Sequence, residues 1–83
     1  MDEAVAFGKV LRRLRNEAGL TQEQLGLEAD LRRTYVSILE LGQQQPSLGT
    51  LFKLARALGL PASAVIAEVE NELGAAKTAD SLN

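Results

Sequence analysis

Residues 21–42 read TQEQLGLEADLRRTYVSILELG, and the punctuation of this stretch decides the fold. Thr21 is a good N-cap, because its hydroxyl can accept a hydrogen bond from a first-turn amide, and Gln24 three residues on completes a capping box. A short helix is predicted from there through about Ala29, with Leu25 and Ala29 inward. Asp30 stands where the chain has to turn sharply, and Asp takes a positive φ more readily than most side chains. A second helix is predicted from about Arg32 to Leu41, burying Val36 and Leu39 and stopped by Gly42. Gly26 lies inside the first of these helices, where glycine costs about 1 kcal/mol against alanine. A close crossing by the following helix would compensate; a merely tolerated glycine is the alternative.

Outward from this pair, apolar residues recur at three- and four-residue spacing with almost no strict alternation, so the rest of the chain reads as helix too. A preceding helix is predicted from about Glu3 to Ala18, with Phe7, Leu11, Leu14 and Ala18 on one face and Gly19 ending it. On the other side, Gln43–Pro46 is a polar loop. Ser47 caps a helix over Leu48–Leu58 whose Leu51, Leu54 and Leu58 share a face. Gly59 and Pro61 mark the next boundary, since Gly follows helices and Pro opens them. The last helix carries Val65, Ile66, Val69 and Leu73, and the small, polar residues 74–83 are expected to fray. The expected architecture is all-α: one compact five-helix domain over residues 1–73, with a tail over 74–83.

Composition narrows the chemistry. At 83 residues and 8.9 kDa the chain has room for one small core. It contains no Cys and no His, which removes disulfides, thiolate zinc sites and imidazole acid–base catalysis. No cofactor and no metal are expected. Ser63 and Lys77 have no activating neighbours in the sequence, and no phosphate-cradling glycine loop is present, so an enzyme is not expected. No run approaches the roughly 18 apolar residues of a membrane span, and Asp2 and Glu3 stand where a signal peptide would be basic. A cytoplasmic protein without a membrane partner is expected.

The formal net charge of −2 argues at first against a polyanion partner. Its distribution reverses that inference. Lys9, Arg12, Arg13, Arg15, Arg32, Arg33, Lys53 and Arg56 outnumber the acids Glu17, Glu23, Glu28, Asp30 and Glu40 within residues 9–56. Asp2 and Glu3 precede that segment, and Glu68, Glu70, Glu72 and Asp80 follow it against the lone Lys77. A polyanion meets the local field, not the average.

Two short helices joined by a tight turn over Thr21–Leu41 have the layout of a DNA-reading helix-turn-helix. Four strings make the likeness specific: L-R-x-x-x-G-L-T-Q at 14–22, R-R-T-Y-V-S at 32–37, E-L-G at 40–42 and P-S-L-x-T-L at 46–51. In combination they resemble the phage Cro and repressor type of helix-turn-helix domain, the xenobiotic-response-element family, over residues 7–66. The R-T-Y-V-S run is most similar to the small controller proteins of restriction–modification systems. The resemblance implies a lambda-repressor-like five-helix fold and a homodimer on a palindromic DNA operator.

The resemblance also assigns roles. Thr21 and Gln22 stand at the start of the second helix, where Gln22 is expected against a phosphate; the first-turn amides and the helix dipole favour an anion there. The start of the third helix enters the major groove, so Arg32, Arg33 and Thr34 reach base edges first. Arg33 is expected to be the main base reader, pairing two parallel hydrogen bonds with guanine, and Arg32 is divided between base and phosphate. Tyr35 and Ser37 match positions that reach the backbone or flank the bases. Arg15 and Glu40 match a pair whose salt bridge ties the first helix to the third, and Arg15 has further donors to extend toward a phosphate. Ile38 departs from the family's long polar residue, and it suits either a thymine methyl or a partner surface. Gln43 and Gln44 replace basic residues of many relatives near the DNA backbone, so a shallower salt dependence is expected.

One such helix covers a half-site of a few base pairs, too little to mark a genomic target; two copies about 34 Å apart would suffice. Val65 is assigned to the core, and Ile66, Val69 and Leu73 to a two-fold interface. No small-molecule ligand is expected. The rival function is a protein-interaction module, such as an antitoxin or anti-repressor partner, contacting through Leu27, Ile38 and Leu41.

Overall fold

The computed structural model describes residues 2–82, with side chains through Ala75. Every regular element among them is helical: α1 (Glu3–Glu17), α2 (Gln22–Ala29), α3 (Arg33–Glu40), α4 (Leu48–Ala57) and α5 (Ala62–Leu82). The starts of α2 and α4 follow the caps legible in the sequence. Thr21 accepts from the Gln24 amide while the Gln24 side chain accepts from the Thr21 amide, closing the capping box. Ser47 accepts from the Thr50 amide at the head of α4. Asp30 takes the left-handed conformation, φ 57°, and is the one non-glycine residue with positive φ among the described residues.

α3 starts differently. Arg32 is its N-cap rather than its first turn, with extended φ and ψ and no side-chain cap, because the left-handed Asp30 is followed by two residues still unwinding the turn. Ala18 likewise caps α1 and is exposed instead of buried, and Leu58 caps α4 half-buried. α5 runs past Gly74, where the sequence suggests the domain's end; the glycine is flanked by Leu73 and Ala75, both good helix formers. The side chains of residues 76–83, most of the expected tail, lie outside the described residues.

α1 packs on α3 and α5, α2 on α3 and α4, and α4 on α5, so one core is shared by all five helices. Val10, Leu11, Leu25, Val36, Leu39, Leu54 and Val65 are almost wholly removed from water there. Each buried leucine or valine of this kind contributes roughly 1.5–3 kcal/mol of apolar transfer. Val69 is also in this core, 8% exposed, and Leu73 packs half-buried against it. That corrects the interface assigned from sequence: Val69 lies one turn from Val65 and points inward with it. Of the three residues, Ile66 is the exposed one, at 41%.

Backbone contact without side chains sets the spacing at two points. A Cβ on Gly8 would stand 2.6 Å from the carbonyl oxygens of both Leu39 and Glu40, so α1 crosses the end of α3 at a distance only glycine allows. A Cβ on Gly26 would stand 2.6 Å from the Leu31 carbonyl oxygen. The close approach that explains Gly26 therefore comes from the turn after α2, not from the body of α3; the Leu31 amide in return donates to the Gly26 carbonyl at 2.8 Å.

Gly8→Ala is expected to lower stability by about 1–3 kcal/mol, since backbone cannot give way as a side chain would. Gly49 has only the Ser47 hydroxyl near a would-be Cβ, at an ordinary 3.9 Å. Gly49→Ala should instead raise stability by about 0.4–1 kcal/mol. Urea unfolding of the two variants checks the opposite signs.

Candidate nucleic-acid interface

The end of the molecule where α1, α2 and α3 meet is built around a nearly buried ion pair. Arg15 Nε donates to Glu40 Oε2 at 2.6 Å and its Nη2 to Glu40 Oε1 at 3.0 Å, a bidentate fork between α1 and the last residue of α3. Arg15 Nη1 donates to the Leu20 carbonyl at 2.9 Å, fixing the chain just before α2. The two side chains are 12% and 4% exposed. Hydrogen bonding to Glu40 raises the Arg15 pKa above its ordinary value, outweighing the opposing effect of desolvation. Both ends of the fork are thus committed within the fold, and the group serves as a strut before any reach toward a phosphate.

Gln22, the first residue of α2, joins the same carboxylate: its Nε2 donates to Glu40 Oε1 at 3.1 Å. That bond was not foreseen from sequence, and no local spacing signals it, because the two residues meet only once α3 has folded back along α2. Gln22 is half-buried at the mouth of an open cleft lined by Arg15, Asn16, Leu20, Thr21, Glu23 and Arg33 among others. Four of the residues singled out in the sequence, Arg15, Thr21, Gln22 and Arg33, are therefore brought to one place. The capping box satisfies the Thr21 and Gln24 amides, which leaves those of Gln22 and Glu23 without intrahelical partners. The free first-turn amides and the helix dipole suit an anion here, while Glu23 offsets Arg33 among the side chains that line the cleft. Asn16 and Glu23 also line it and were not picked out; Asn16 lies one turn beyond Arg12 on α1, a spacing visible in the sequence.

Arg32 and Arg33 diverge. Arg33 borders the α2 cleft, whereas Arg32 lines a separate surface dip with Leu27, Asp30 and Leu31. Both are exposed, as is Thr34, and neither arginine has an ion-pair partner among the described residues. Farther along α3, Tyr35, Ser37 and Ile38 are half-buried, with Tyr35 packed against the core. Gln43 and Gln44 are exposed in the loop beyond the opposite end of α3, about 12 Å along its axis from Arg33. Thr21 is exposed, but its hydroxyl is occupied as a cap.

The basic character of the central segment is narrower than its composition. Arg13 is held by Glu17 one turn on, at 3.2 Å, and by Glu68 of α5, also at 3.2 Å. Its pKa is raised, chiefly through the Glu17 hydrogen bond. Arg13 and Arg15 are spent on acids of the fold, whereas Arg32 and Arg33, adjacent at the start of α3, pair with no acid among the described residues.

Five large apolar side chains are exposed among the described residues. Leu27 and Leu41 are 76% and 66% exposed. Leu48 and Phe52, one turn apart on α4, stand out with Ile66 of α5, and Leu48 and Ile66 border a groove floored by Phe7, Leu51 and Val69. The Leu48–Phe52 pair was missed, although its four-residue spacing lies in plain view beside the Leu51–Leu54–Leu58 stripe. No cluster of acidic residues suited to a metal ion occurs among the described residues, and no single helix is long and apolar enough to cross a membrane.

Comparison with known proteins places this geometry. Residues 11–65 match the helix-turn-helix family. The control protein C.MunI of a Mycoplasma species is 38% identical over 72 residues, covering 86% of this chain and 97% of that relative. Among solved structures, the restriction–modification controller protein C.AhdI from Aeromonas hydrophila is 42% identical with a TM-score of 0.73, covering 75% of this chain and 94% of that one. The clp gene regulator ClgR from Corynebacterium glutamicum is 26% identical with a TM-score of 0.92, covering 99% and 87%.

Arg15→Ala strands a buried carboxylate, and a loss of about 3 kcal/mol is expected. For a domain of this size that corresponds to a drop in Tm of roughly 12–24 °C. Arg13→Ala removes exposed ion pairs and should cost no more than about 1 kcal/mol. Thermal unfolding of the two variants separates the strut from the surface bridge.

Proposed function

This chain belongs to the helix-turn-helix family of DNA-binding transcriptional regulators, and from that footing we propose that it works as a homodimer on a two-fold symmetric operator, with α3 in the major groove. The observation that carries the proposal is the start of α3, where exposed, unpaired Arg32, Arg33 and Thr34 project from a helix whose far end is clamped by Arg15 and Glu40. Arg33 has two tasks within reach. Its position beside the α2 cleft suits a phosphate, and its exposure suits a guanine edge. Arg32 reaches the other side of the turn, and Thr34, Ser37 and Ile38 follow along the groove-facing side. Gln22 and the first-turn amides of α2 hold a phosphate, with Thr21 keeping that turn wound. Tyr35, Gln43 and Gln44 complete the contact with the backbone.

Dimerisation is assigned to the apolar face of Leu48, Phe52 and Ile66, with Leu73 at the groove margin; it replaces the stripe that included Val69. Two copies joined there present two reading helices, and the information in one half-site doubles. The names of the relatives, control proteins and an immunity repressor, favour a controller or repressor; we take it to be an autoregulating one, acting in the cytoplasm without cofactor, small-molecule ligand or catalytic step. A second reading, a protein-interaction module, draws on the exposure of Leu27 and Leu41.

Selection of bound duplexes from a random pool tests the proposal. A two-fold symmetric consensus is expected, and Arg33→Ala should weaken binding by about 1–3 kcal/mol and relax one position in each half-site. Enrichment of no sequence leaves the interaction-module reading in its place. Sedimentation should give a dimer at tens of micromolar or below, converted to monomer by Phe52→Asp together with Ile66→Asp.

A further inference from the structure

We infer that Glu40 is a positioning residue for binding of the DNA backbone: its buried carboxylate fixes the orientation of the Gln22 side-chain amide and acts on a phosphate only through Gln22. The inference rests on the reading above that the α2 cleft receives a phosphate.

An ionised carboxylate only accepts hydrogen bonds, and a glutamine amide has one accepting and one donating edge. A glutamine free in water presents either edge. Here Glu40 Oε1 receives Arg15 Nη2 and Gln22 Nε2 together, at 3.0 and 3.1 Å, while Oε2 is taken by Arg15 Nε. Turning the Gln22 amide over would set its carbonyl oxygen against that carboxylate, two acceptors facing each other at a carboxylate only 4% exposed. The NH2 group is therefore held on the carboxylate, with one N–H spent on Glu40 and the second left over. That second donor belongs to the first residue of α2, beside the unpartnered amides of Gln22 and Glu23. Thr21 and Gln24 are closed on each other in the capping box, so Gln22 supplies the oriented side-chain amide of this turn. Arg15 offsets the charge of Glu40, so the carboxylate orients a donor without repelling the anion that the donor would meet.

A structural role and a positioning role separate when the ion pair is replaced by apolar side chains of similar size, a change that commonly keeps or raises stability. The variant Arg15→Met with Glu40→Leu would retain the fold and release Gln22. Binding is measured to a random-sequence duplex at low salt and to a duplex with the selected consensus. Gln22→Met should weaken binding about tenfold on both, the size of one hydrogen bond to a charged group, with the salt slope unchanged because a neutral amide displaces no counterion. The ion-pair replacement should lose the same factor on the random-sequence duplex, where base reading by α3 does not enter, and adding Gln22→Met to it should cost nothing more there. Wild-type affinity in the folded replacement variant, or losses that multiply in the triple variant, overturns the inference. Should the replacement variant not fold, single-site methylphosphonate duplexes decide with Glu40→Gln, whose neutral amide can meet either edge of Gln22. The wild type should lose about tenfold at one phosphate per half-site and Glu40→Gln much less there; equal sensitivity of the two proteins overturns the inference. A wild type that binds neither duplex removes the functional reading itself, and this inference with it.

Discussion

The fork between Arg15 and Glu40 is the constraint on which the rest of this small protein hangs. It joins the end of α1 to the end of α3, holds the Leu20 carbonyl at the entry to α2, and receives the first side chain of α2 on the same carboxylate. Three helices of the domain are thus referred to one pair of charges. A buried ion pair of this kind adds little net stability compared with a well-packed apolar replacement. What it supplies is direction: a guanidinium and a carboxylate pair in one plane at one distance, whereas leucines accept several arrangements. Where three short helices have to meet at fixed angles, direction is the scarcer quantity.

Packing supports the same frame from the backbone side. Gly8 lets α1 approach the carbonyl oxygens at the end of α3, and Gly26 lets the turn fold down on α2. These contacts involve main-chain atoms that cannot change rotamer, so they set distances where the ion pair sets angles. Charge is divided along the same line. The acids Glu40, Glu17 and Glu68 draw in Arg15 and Arg13, and Arg32 and Arg33 at the start of α3 are two of the arginines left without an acid partner among the described residues. A net charge of −2 therefore describes the bulk of the molecule and says little about its reading end.

Element boundaries were legible because they are local events. A hydroxyl cap at Thr21 or Ser47, a left-handed Asp30 and a glycine after a helix each act within a few residues, and the chain carries them openly. Rotation of a helix about its own axis is different. Val65 with Val69 and Ile66 with Val69 and Leu73 are both valid stripes on α5, and only the partners across the core decide that Val65 and Val69 turn inward. The division between Arg32 and Arg33, the capture of Arg13 by α5 and the bond from Gln22 to Glu40 are equally non-local. The resemblance supplied the Arg15–Glu40 pairing, which composition and spacing alone do not contain.

Arg32, Arg33 and Thr34 have one more property in common: the fold makes almost no use of them. They are exposed, with neither arginine tied to an acid, and the core beneath α3 is closed by Val36 and Leu39. Surface positions of this sort usually change stability by less than about 0.5 kcal/mol when substituted. The molecule is thereby divided into a chassis that tolerates little revision and a short interchangeable head. Side chains can change there without renegotiating the fold that carries them.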